Sequence, residues 1–130
     1  MLGAGIRNVA FATTVAAVAA CGGSSSSTSP STGGGTSTTT ITITNSVASP
    51  KDIIVSRGAQ VTFVNSDSRD HNIASDPHPE HTQCPELNQV GFLTPGQSRQ
   101  SGNLVNPGTC GFHDHDNFSI TSLQGTITVQ

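Results

Sequence analysis

Tryptophan and tyrosine are absent from this 130-residue chain, phenylalanine occurs five times, and charged residues make up only 10%. Without those rings, stacking platforms for bases or sugars are scarce. Five Lys/Arg against eight Asp/Glu give a net charge of −3. No Lys/Arg run occurs, which argues against electrostatic binding to nucleic acid or to an anionic bilayer. There is no G-x-S-x-G string and no recognisable base beside a nucleophile, so the chain reads as a non-enzyme. Its length permits one domain with appendages and rules out a large multidomain assembly.

The N-terminal residues MLGAGIRNVAFATTVAAVAAC hold one basic residue, Arg7, and then an apolar run from Val9 to Ala20. That run is shorter than the ~20 residues a spanning helix needs and has the length of a signal-peptide core. The string V-A-A-C resembles a bacterial lipobox. Residues 1–20 are therefore expected to be a lipoprotein signal peptide, with Cys21 lipidated. No Asp follows Cys21, which points to the outer membrane and a periplasm-facing location in the cell envelope. Two or more acyl chains give firm anchoring where one is marginal. Residues 22–40, GGSSSSTSPSTGGGTSTTT, carry neither charge nor apolar side chain. Burial cannot offset their ordering entropy, so they are expected to be a flexible tether spanning on the order of 25 Å.

From Ile41 the pattern changes to period two. T-I-T-I-T alternates at 40–44, D-I-I-V-S and V-T-F-V-N follow with Gly58 at a turn, and G-T-I-T-V closes the chain. T-P-G-Q marks another turn near the middle. Short alternating strands without a 3.6-residue period predict an all-β domain over residues 41–130, an antiparallel sandwich or barrel. A domain this small buries only about 60–65% of its unfolded surface, so a cross-link or metal would help it.

The chemistry is concentrated between positions 71 and 115. His71, His78, His81, His113 and His115 all fall there, together with Cys84 and Cys110. Imidazole and thiolate are ligands for copper, zinc or iron. D-P-H-P-E-H at 76–81 reads as a stiff proline loop with solvated histidines. Asp114 and Asp116 read as surface residues, one of them able to orient a ligand imidazole.

Three strings in order, I-I-V-S-R-G-A-Q-V-T-F-V-N with His71-Asn72, then L-T-P-G-Q-S, then C-G-F-H-D-H with L-Q-G-T-I-T-V, resemble a cupredoxin domain of the plastocyanin/azurin kind. The resemblance covers residues 41–130. It implies a Greek-key β-sandwich and a mononuclear copper site passing single electrons. It also implies His71 as first imidazole, Cys110 as thiolate, and His113 or His115 as second imidazole, with His113 preferred. Leu123 would occupy the axial position. The only methionine is Met1, so an axial thioether is ruled out.

Two features depart from that pattern. His113 and Leu123 are ten positions apart, about five more than the plastocyanin spacing. Cys84 has no role in such a site, and two cysteines in an oxidising compartment usually pair. A Cys84–Cys110 disulfide would remove the thiolate and leave a copper-sequestering or delivery protein with a site made of His71, His113 and His115. A two-Cys, two-His zinc set (His81, Cys84, Cys110, His113) and a metal-free adhesion sandwich are the other readings. Expected partners are redox or copper-exchange proteins, the chain itself being a monomer that meets the membrane through its anchor alone.

Overall fold

The computed structural model describes residues 35–130. The expected signal peptide, Cys21 and the tether up to residue 34 lie outside the described residues.

Among the described residues, ten strands form two sheets. They are β1 (Thr36–Ser37), β2 (Thr40–Thr44), β3 (Val47–Ser49), β4 (Asp52–Val55), β5 (Thr62–Asn65), β6 (His71–Ser75), β7 (Gly91–Leu93), β8 (Ser98–Gln100), β9 (Gly108–Asp114) and β10 (Gly125–Val129). One sheet has the order β1-β4-β10-β9-β6-β7, the other β3-β2-β5-β8. Strand β1 lies inside the stretch read as tether and pairs with β4. The expected all-β sandwich is present, and its sheets are mixed. β2 runs parallel to β5, and β4 parallel to β10. These strands are distant in sequence and reach one another by crossing between sheets, a connection that does not impose the antiparallel sense of a hairpin. Where the chain does turn back directly, from β2 to β3, Asn45 and Ser46 adopt φ of 50° and 58°, the left-handed pair that a two-residue hairpin needs.

Alternation decides which side chains enter the core. Ile41 and Ile43 of β2, Phe63 of β5, and Ile127 and Val129 of β10 are buried between the sheets. Phe63 meets Phe112 of β9 edge to face across the sandwich, with centroids 5.2 Å apart. Because Phe112 faces inward, so do Cys110 and Asp114, while Gly111 and His113 face the outer surface of the first sheet. After β6, Asp76 and Gln83 lie against Gly111 on that outer side, and the chain then runs through a 3-10 turn at Pro85–Gln89, where Leu87, with Val90 after it, packs into the core. This places part of the histidine-rich sequence outside the sandwich and part of it inside.

Candidate metal centre

His113 is fixed from three directions. Its neighbour across the ladder is Ala74 of β6, and its Nδ1–H donates to Asp76 Oδ1 at 2.6 Å. The carboxylate can only accept, so the ring's lone pair lies on Nε2. That nitrogen is buried and has no hydrogen-bond partner. Asp76 reaches its place because residue 111 is glycine: a Cβ there would collide with the Asp76 carboxylate. The backbone completes the clamp, with Asp76 N–H donating to Gly111 O and Gly111 N–H donating to the Gln83 side chain.

Three further imidazoles face His113. His78 and His81 come from the loop after β6. His115 opens the 3-10 turn His115–Asn117, where the Asp114 side chain accepts from Asp116 N–H as an N-cap. One ring nitrogen from each of His78, His81, His113 and His115 lies within 4.8 Å of all the others. His115 Nδ1 and His81 Nε2 are 3.1 Å apart. Two nitrogens bound to one ion at ~2.0 Å stand about 3 Å apart, so this spacing suits two ligands on one metal. His78 Nδ1 is a second buried nitrogen without a partner. The His78 ring stacks on Phe118 at 4.3 Å with a 5° tilt. Unpaired buried nitrogens cost stability unless something occupies them.

The loop is held in register by two bonds. Asn88 accepts from Ser75 N–H and donates to His81 O, at 2.9 and 2.8 Å. Cys84 and Cys110 form a disulfide with Cα atoms 5.7 Å apart, which ties the loop to β9. Loss of hydration among the other rings, and then the charge of His115, His113 and His78, hold His81 below the ordinary imidazole range. Its lone pair is therefore available at neutral pH, as metal binding requires.

The expected ligand set is corrected in part. His113 and His115 stand in the cluster together. His71 does not join them: its Nδ1 faces Asp114 Oδ2 at 2.8 Å and its Nε2 faces Asp67 Oδ2 at 3.3 Å. A carboxylate on each ring nitrogen leaves it none for a metal. Cys110 is no free thiolate, because its sulfur is bonded to Cys84. The same bond removes the zinc set of His81, Cys84, Cys110 and His113. The reason is register. Ile73 of β6 pairs with Asp114, four residues beyond Cys110, so Asp114 is the inward-facing β9 residue whose carboxylate reaches the His71 ring. Asp114 is no surface residue either: it is fully buried and also accepts from Asn72 N–H and the Asn117 amide. The carboxylate that orients an imidazole of the cluster is Asp76. Leu123, expected at the axial position, is buried in the core cluster. His78 and His81 read as solvated along the chain, His81 otherwise entering only the zinc set, and the structure brings both into the cluster. Their signal was the paired spacing H-x-x-H at 78–81 and H-x-H at 113–115, within a loop stiffened by prolines.

No protein-family model matches the chain, and no curated protein matches it by sequence. Solved structures do. A purple cupredoxin from Nitrosopumilus maritimus superposes with TM-score 0.55 at 22% identity, over 72% of this chain and all of that one. Plastocyanin from Dryopteris crassirhizoma gives 0.55 at 26% identity, over 70% and 99%. Amicyanin from Paracoccus versutus gives 0.56 at 14%, over 70% and 79%. The domain is cupredoxin-like. On this cupredoxin-like frame, the sandwich interior at the start of β6 holds an imidazole–carboxylate pair, and four imidazoles gather outside.

Proposed function

We propose that this is a copper-binding protein of the bacterial envelope that holds one copper ion on His78, His81, His113 and His115, and that it sequesters or delivers the metal. The observation that carries the reading is His113 Nε2: buried, unpartnered, backed by Asp76, and turned toward three other imidazoles. All-nitrogen donor sets suit copper, nickel and zinc. Copper is favoured over zinc because the fold is shared with plastocyanin and with an amicyanin variant determined as Cu(I). The lipobox-like leader supports anchoring of the domain in the envelope, where copper-exchange partners would meet it.

Bound copper would supply a Lewis-acidic and redox-active centre. The chain's own residues do the rest. Asp76 keeps the Nδ1 proton on His113 and thereby fixes the donor tautomer. Asn88 and the disulfide hold His81 within reach, and the lowered basicity of His81 reduces proton competition for the metal.

One-electron carriage is the second reading. It draws on the fold and on one contact: Phe118, half exposed, lies flat on the His78 ring and would connect the site to a redox partner at the surface. In either role the metal lacks a thiolate ligand.

Titrating the purified protein with Cu(II) is the test. The expected result is one copper per chain, nitrogen hyperfine structure in the electron paramagnetic resonance (EPR) spectrum, and no intense visible thiolate-to-copper band. An intense band abolished by Cys110→Ser, or no copper uptake, would overturn the four-imidazole site.

A further inference from the structure

The four imidazoles are not equally enclosed. His113 is 2% exposed and has β9 and Asp76 behind it. His78 is capped by the Phe118 ring. Between His81 and His115, however, a cleft of about 210 Å³ reaches the cluster, floored by Ala74 and Gly91 and flanked by Asn72 and Asn88. It touches those two histidines and neither of the others. Its volume is below the ~300 Å³ at which drug-sized ligand pockets begin, and a water takes about 30 Å³ of liquid. A few small molecules fit there; a nucleotide or a peptide does not.

We infer that this cleft is a binding site for a small monoanion that becomes an additional ligand of the copper, entering between His81 and His115. The inference rests on the copper reading above. Cu(II) prefers tetragonal geometry, in which four strong nitrogen donors leave further positions free. A metal dication held by neutral imidazoles attracts an anion, and Asn72 supplies a donor at the rim. Its side-chain Nδ2–H donates to Asp116 Oδ1 at 3.5 Å, a long, weak bond that the amide can exchange for one to a ligand. Asn88 is committed to Ser75 and His81 and shapes the cleft wall.

The probe is sodium azide, titrated into the Cu(II)-loaded protein and followed by EPR and by the near-ultraviolet azide-to-copper absorption. One azide should bind saturably and change the hyperfine pattern while copper stays on the protein. Asn72→Leu should bind azide about tenfold more weakly, the equivalent of one lost hydrogen bond. Asn72→Asp should weaken it further by placing like charge at the rim. Both variants should keep the azide-free EPR spectrum and the melting temperature of the parent. An EPR spectrum unmoved by azide, or equal azide affinity in all three proteins, overturns the cleft site and leaves the copper reading standing. Absence of nitrogen hyperfine structure before azide is added overturns the copper reading, and this inference with it.

Discussion

Asp76 Oδ1 accepts the Nδ1 proton of His113 at 2.6 Å, so the opposite edge of the ring presents its lone pair to His78, His81 and His115. A ligand imidazole held this way by a carboxylate has a fixed tautomer and orientation and a more basic donor nitrogen.

Asp76→Asn should therefore lower copper affinity by roughly 10–100-fold, the range for losing such a partner. Gly111→Ala should act through the same contact, since its methyl group would take the space of the Asp76 carboxylate. Competition against a calibrated chelator measures both. Affinities equal to the parent's would show that Asp76 does not orient the ligand.

Replacing the inner and the outer histidines should have opposite consequences. His71→Ala leaves the buried Asp114 carboxylate without its imidazole and should cost about 3–5 kcal/mol in denaturant unfolding, with copper stoichiometry unchanged at one. His113→Ala should abolish the parent EPR spectrum. Loss of copper from the His71 variant while it remains folded would return His71 to the ligand set.

Reducing the Cys84–Cys110 bond, with 26 residues of sequence separation, should lower stability by roughly 3–4 kcal/mol in the chain-entropy model. It should also weaken copper binding, because the loop carrying His78 and His81 loses its tie to β9. Calorimetry on Cys84→Ser/Cys110→Ser checks both effects together. An unchanged copper affinity in that folded double variant would show that the disulfide serves the fold alone.

Acid should weaken both the metal site and the fold. His81 binds a proton less readily in the folded chain than in the unfolded one. As pH falls below the ordinary imidazole value of ~6.5, the unfolded state takes up the proton first and stability declines. Asp67 is shifted down chiefly by the backbone N–H groups of Ser46 and Ser68. Its contribution is present above the usual carboxylate value of ~3.9 and is lost as pH falls through its lower folded value. Copper affinity should drop from pH 7 to 5 for the same reason as the first loss, since protons compete for the imidazoles. Chemical unfolding and copper titration at stepped pH follow these changes. Metal-free stability that rises on acidification from pH 7 to 5 would contradict the placement of His81.

Much of the fold was legible along the chain because alternation is a local property. The alternation places Ile41 with Ile43, Val61 with Phe63, and Ile127 with Val129 on shared faces, and each pair is buried. Gly58 and Gly96 were placed at turns and have positive φ. The parallel pairings were not legible, because they join strands far apart in sequence. The site was half legible. His113 and His115 announced themselves as a pair. The resemblance made Cys110 a co-ligand of His71, whereas the side chain that meets His71 is that of Asp114, paired with Ile73 across the ladder.

Local patterning alone specified a small all-β domain, poor in charge, with its candidate metal-binding side chains confined to a 45-residue stretch and two cysteines able to cross-link. Period-two patterning and residue chemistry are carried by each segment alone. Which imidazoles meet depends on long-range packing. A one-residue step along β9 sends Asp114 into the core and His113 to the outer face. The loop bearing His78 and His81 comes within reach because Asp76 and Gln83 bond Gly111, Asn88 holds His81, and the disulfide ties the loop to β9. Contacts between segments 30 residues apart depend on register and chain crossing, and no local pattern encodes either.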